Sequence, residues 1–90
     1  MDAFETPQTL VGRLDDVQLL DCREDAEWAA GRIEGSVHVP LQRLLAGDQG
    51  ALDPARPVVV VCRSGSRSQV GTLMLRTRGF DARNLAGGIE

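Results

Sequence analysis

A chain of 90 residues sets one small domain, residues 1–90, as the expectation, near the small end of what folds alone. A composition 42% hydrophobic and 26% charged excludes a disordered chain. A net charge of -3 excludes a global basic field for nucleic acid, and the three aromatics, Phe4, Trp28 and Phe80, are too scattered to stack bases.

The longest apolar runs fall far short of a membrane span, and no secretion signal is legible. Two cysteines, Cys22 and Cys62, are too few for a disulfide scaffold, so free thiols in a reducing cytoplasm are expected. With a single histidine, His38, no structural zinc site is expected either, and no cofactor is implied.

In chain order, Thr6 as N-cap and Pro7 at the first helical position predict a short helix running to about Gly12. Val17 to Leu20 is apolar-rich and predicts a strand ending at Asp21. Asp25 to Ala30 predicts a short helix closed by Gly31, with Trp28 packing in the core. Ser36 to Val39 predicts a brief strand stopped by Pro40, and Leu41 to Ala46 a short helix stopped by Gly47. Asp48 to Pro57 contains Gly50, Pro54 and Pro57 and is expected to be loop.

Val58 to Val61 is the clearest strand. Four valines without alternation predict burial on both faces, as in the centre of a parallel sheet. Ser68 to Arg78 has helical spacing, with Val70, Leu73, Met74 and Leu75 as its apolar stripe and Gly79 as its end. Asp81 to Leu85 predicts a last strand, and Gly87-Gly88 a turn. Strands alternating with helices predict an α/β fold of three layers, a central parallel sheet of about four to five strands with helices on both faces.

Chemistry concentrates in Cys62-Arg63-Ser64-Gly65-Ser66-Arg67, where the valine strand turns into the next helix. Amide groups at such a turn converge on an anion, and two arginines add full charge, so a thiolate is favoured at Cys62. Arg63 and Arg67 are candidates to bind an anionic substrate. Ser64, Ser66 and Ser68 can donate hydroxyls into the same cradle, with Ser66 or Ser68 also a candidate helix cap, and Gly65 allows close backbone approach.

Asp21 and Arg23 end the first sheet strand and share that rim, where Asp21 can support the loop and Arg23 can pair with Glu27, four residues on. Cys22 lies on the same rim. A core thiol is the plainer reading of it, a resolving cysteine the sharper one. His38 is a candidate base of lesser weight.

These residues resemble the single-domain sulfurtransferases of the rhodanese family. Leu19-Leu20-Asp21-Cys22-Arg23-Glu24, Glu27-Trp28 and Gly31-Arg32-Ile33-Glu34-Gly35-Ser36-Val37-His38-Val39-Pro40 look like the family's amino-terminal signature. Cys62 to Ser68 looks like its active-site loop, and Asn84-Leu85-Ala86-Gly87-Gly88-Ile89 like its closing motif. The resemblance implies a rhodanese-like domain in which Cys62 takes the outer sulfur of a donor such as thiosulfate and holds it as a persulfide. An acceptor thiophile, cyanide, a thiol or an acceptor protein, then removes it, with ping-pong kinetics. Arg63 and Arg67 would orient the donor's oxyanion end.

Rhodanese-like phosphatases and arsenate reductases carry five residues between cysteine and arginine. Here four separate Cys62 from Arg67, a tighter cradle that favours sulfur. The alternatives are a noncatalytic protein-binding module and, behind it, a phosphatase or arsenate reductase. The chain departs from the family at Arg32 and Glu34, where histidine and proline are frequent, and it stops at Glu90 where members usually continue with a tryptophan and a helix. A monomer is expected.

Overall fold

Val58–Val61 forms a strand whose four side chains are all buried. In the computed structural model, which describes residues 15–62 and 66–85 and the backbone of Phe4–Glu5, this strand is the middle of a five-stranded sheet. The strands are β1 (Phe4–Glu5), β2 (Gln18–Asp21), β3 (Val37–His38), β4 (Val58–Val61) and β5 (Ala82–Leu85). They lie in the order β1-β5-β4-β2-β3, and every pairing is parallel. Three helices are described: α1 (Asp25–Ala30), α2 (Leu41–Leu45) and α3 (Ser66–Thr77). None is long and apolar enough to cross a membrane.

The side-chain period of two sorts the strand residues onto two faces. Leu20, Cys22, Val58, Val60, Cys62 and Ala82 face one way and pack with Leu44 of α2, Leu75 of α3 and Phe80. Val17, Leu19, Val59, Val61 and Leu85 face the other way, with Ile33 packed against them. Both faces are thus buried, as an unalternating valine run requires of a central strand. The predicted α/β class and the central parallel sheet hold. The predicted helix over Thr6 to Gly12 and the turn at Gly87-Gly88 lie outside the described residues.

Two expectations fail, each for a packing reason. The buried face of α3 is Ser68, Gly71, Thr72 and Leu75, not Val70, Leu73 and Met74. Val70 is 46% exposed and Leu73 57%, whereas Leu75 is fully buried. Both sets satisfy a 3.6-residue period. The set that faces the sheet is the one with small members, because α3 lies very close to its neighbours. A methyl group at Gly71 would stand 3.1 Å from Leu44 Cδ2 and 3.5 Å from Val60 Cγ1. Thr72 keeps its polarity satisfied within the helix, its hydroxyl donating to the Ser68 carbonyl at 2.7 Å.

Trp28 is the second. It is half-buried rather than in the core, its ring stacked on His38 with centroids 4.5 Å apart and planes 7° from parallel. The Arg32 guanidinium lies over the same indole at 4.5 Å. Helix α1 has no buried residue, so this stack and the polar contacts described below are what fasten it to the sheet.

Candidate active site

β4 delivers Cys62 to the carboxyl edge of the sheet, immediately past Val61, and α3 begins four residues later. The Cys62 sulfur lies against the first turn of α3, its thiol donating to Ser68 Oγ at 3.3 Å. The Ser68 hydroxyl in turn donates to Asn84 Oδ1 on β5. A relay therefore runs from the thiol through a buried hydroxyl to a buried amide. The positive end of a twelve-residue helix favours negative charge at the sulfur. Asn84 joins the site although the sequence reading gave it no role beyond the closing motif; its place on β5, register partner to Val60, is what brings it there.

The rim beside Cys62 is built by β2. Asp21 is fully buried, and its carboxylate takes a fork from Arg23: Nε donates to Oδ1 and Oδ2 at 3.0 Å each, and Nη2 to Oδ2 at 2.8 Å. The Arg23 backbone N–H adds a bond to Oδ1 at 2.9 Å, and Nη2 also donates to the Gly31 carbonyl at 2.5 Å. The hydrogen bonds it donates to Asp21 raise the Arg23 pKa, so its charge is secure. Asp21 and Arg23 thus form one closed unit that pins the turn after β2 to the end of α1. The expected Arg23–Glu27 ion pair is replaced by this unit, because the chain turns back on itself after Asp21 instead of continuing helically.

Glu27 is engaged elsewhere. Arg67, in the first turn of α3, donates to it with both terminal nitrogens, at 2.7 Å to Oε1 and 2.9 Å to Oε2. Glu27 Oε1 also accepts the Glu24 backbone N–H at 3.0 Å, closing the start of α1. Arg67 pulls the Glu27 pKa down to about 2, and Glu27 raises that of Arg67. This carboxylate therefore presents a fixed guanidinium at the site, 40 residues away in sequence.

A depressed carboxyl pKa contributes stability that is complete above the unfolded value of 4.5 and is lost as pH falls through about 2. The stability difference between wild type and Glu27→Gln, followed by urea denaturation from pH 7 to pH 3, is expected to stay constant down to about pH 4.5 and then to shrink. A difference that grows on acidification would contradict this pair.

Cys22 follows Asp21 and has its thiol donating to the Val61 carbonyl at 3.4 Å. Burial, with the charges of Cys62 and Asp21 behind it, pushes this thiol up to about 12. Both cysteines are fully buried thiols, and neither is in a disulfide. His38 donates from Nε2 to the Arg23 carbonyl at 2.8 Å, an assignment forced by the acceptor, so the ring braces the turn after β2. Arg63, Ser64 and Gly65 lie outside the described residues; Ser66, Arg67 and Ser68 form the first turn of α3. Among the described residues no cluster of metal-ligating side chains is present.

Comparison with known proteins places this arrangement. The family model described as a rhodanese-like domain matches residues 6–90. Over 73 residues the chain is 41% identical to the thiosulfate sulfurtransferase GlpE of Pseudomonas fluorescens, a match spanning 80% of this chain and 66% of that protein. It is 37% identical over 76 residues to a sulfurtransferase of Allochromatium vinosum, spanning 83% and 70% of the two. Among solved structures, the human single-domain sulfurtransferase TSTD1 superposes with a TM-score of 0.83 at 27% identity, over 99% of this chain and 93% of that one.

Proposed function

The chain belongs to the rhodanese-like domain family, and from that premise we propose that it is a sulfurtransferase working through a persulfide on Cys62. The donor is a small sulfane-sulfur anion such as thiosulfate, and the acceptor a thiophile: cyanide in the test tube, a thiol or acceptor protein in the cell. The observation that supports this most is the position of the Cys62 sulfur, at the end of the central strand and against the first turn of α3, bonded to Ser68.

In the first half-reaction the Cys62 thiolate attacks the outer sulfur of thiosulfate, the S–S bond breaks, and sulfite leaves with the bonding pair. In the second, the acceptor attacks the terminal sulfur of the persulfide and the Cys62 thiolate departs. Negative charge stays near one place throughout. The helix end and the Arg67 charge suit it in each state, and once the thiol proton has gone the Ser68 hydroxyl can turn from Asn84 Oδ1 to donate to the sulfur. Arg67, held by Glu27, orients the donor's oxyanion end together with Arg63, while Ser64, Gly65 and Ser66 complete the cradle. Asp21 and Arg23 support it from β2. Cys62 has no exposed surface, so donor access requires displacement of the groups that cover its sulfur. The reaction needs no cofactor, and the reducing cytoplasm suits a free thiolate.

Incubation with thiosulfate is expected to add about 32 Da to the intact protein on Cys62, and cyanide to remove it. A folded protein with an alkylatable Cys62 that gains no sulfur from thiosulfate would overturn the thiosulfate reading.

A further inference from the structure

Cys22 has no part in that cycle, yet the sheet places it beside the nucleophile. β2 and β4 are parallel neighbours with Asp21 in register with Val61, so Cys22 and Cys62 are the first residues past the two strand ends. The Cys22 backbone N–H donates to the Val61 carbonyl at 3.0 Å, which carries the pairing up to the cysteines themselves. Both side chains point into the same core face. The Cys22 thiol bonds to the carbonyl immediately preceding Cys62. Adjacent strands lie about 4.8 Å apart, within the Cα separation of about 4.4–6.8 Å that a disulfide spans.

We propose that Cys22 is a resolving thiol for Cys62: when no acceptor arrives, it attacks the inner sulfur of the Cys62 persulfide, forms a Cys22–Cys62 disulfide and expels hydrosulfide. This rests on the persulfide reading above. The Cys22 sulfur bonds to Cys62 Sγ, the Sγ–S bond of the persulfide breaks, and its terminal sulfur leaves as HS⁻ with the proton of the Cys22 thiol. The two cysteine sulfurs are oxidised to the disulfide as the sulfane sulfur is reduced to sulfide. A dithiol reductant then returns both thiols and closes the cycle. The result is a second activity, release of sulfide from a sulfane-sulfur donor, and protection of a stranded persulfide from further oxidation.

The environment of Cys22 makes this step slower than transfer to a good acceptor. The groups facing its thiol are Asp21 on β2, Cys62 just past β4 and Arg67 on α3. The first two and burial disfavour the thiolate, so little is present near neutrality. Closure is accordingly a default that operates when acceptors are scarce, and it accelerates about tenfold per pH unit across the neutral range.

The test compares wild type with Cys22→Ser. Each is loaded with thiosulfate, freed of donor, and followed by intact mass and by sulfide assay without acceptor. In wild type the adduct of about 32 Da is expected to give way to a species about 2 Da below the reduced protein, with one equivalent of sulfide released. In Cys22→Ser the adduct is expected to persist at least about tenfold longer. Equal adduct lifetimes, with no lighter species in wild type, overturn the proposal.

A second arm separates its failure from that of the persulfide reading. One equivalent of hydrogen peroxide converts the Cys62 thiol to sulfenic acid and water, and attack by Cys22 expels a second water. If thiosulfate gives no adduct at all, a disulfide formed by peroxide in wild type, and replaced by a trappable sulfenic acid in Cys22→Ser, supports the pairing. Absence of that disulfide overturns it.

Discussion

Cys62→Ala is expected to lower sulfur transfer from thiosulfate to cyanide by roughly a thousandfold or more, since removing the atom that carries a covalent intermediate removes the route and not one contribution to it. The only other thiol cannot substitute. The Cys22 thiol is pushed up to about 12, so it lacks the thiolate charge that the first half-reaction needs. The fold should survive. Cys62 fills a small volume in a large apolar cluster, and truncation there costs on the order of 1 kcal/mol. Cys62→Ser is the closer control, because its hydroxyl keeps a partner in Ser68 while lacking sulfur's nucleophilicity. Steady-state kinetics with thiosulfate and cyanide, beside urea denaturation of each variant, decides the matter. Measurable turnover by a folded Cys62→Ala protein would move the chemistry to another residue.

How much of this was legible in the chain differs from element to element. Val58 to Val61 announced a central strand because a run with no alternation has no solvent face to offer, and its bounds came out as read. The helix after Cys62 was legible in position but not in orientation. Val70, Leu73 and Met74 form as good a stripe as Ser68, Gly71, Thr72 and Leu75, and only the tight approach of Leu44 and Val60 to Gly71 chooses between them. A two-letter pattern of polar and apolar residues carries no information about how closely elements pack.

The site shows the same division. Cys62 and the arginines beside it are local in sequence and were found locally. Glu27 as the partner of Arg67 was not, because 40 residues separate them and both the i,i+4 spacing to Arg23 and an exposed helix offered a nearer partner. In the sequence Asn84 stands out only as part of a motif. Its contact with Ser68 depends on β5 lying next to β4, a fact of strand order that no short window contains. The cysteine pair is of the same kind, since adjacency of Cys22 and Cys62 follows from register between β2 and β4.

Asp21→Ala is expected to cost about 3–5 kcal/mol of folding stability, the range found when one partner of a buried ion pair is removed. The pair meets the conditions for that cost. The carboxylate is fully buried, the Arg23 side chain is 10% exposed, and three guanidinium contacts and one backbone N–H converge on two oxygens. Without the carboxylate, Arg23 keeps the Gly31 carbonyl as an acceptor but loses its bonded counter-charge, with only the unbonded charge of Glu27 remaining, and its backbone N–H loses its Asp21 partner. A domain of this size has a total stability of about 5–15 kcal/mol, so the loss takes a large share and the melting temperature should fall by about 15 °C or more.

Asp21→Asn retains the shape and one acceptor oxygen, and should lie between. If attraction between the two groups is the cause, Asp21→Ala and Arg23→Ala are strongly non-additive, because the double variant leaves no unpaired buried charge behind. Urea denaturation of the four proteins measures that coupling. An Asp21→Ala protein within about 1 kcal/mol of wild type would mean that water replaces the carboxylate around Arg23, and that α1 depends instead on the Trp28–His38 stack and the Glu27–Arg67 pair.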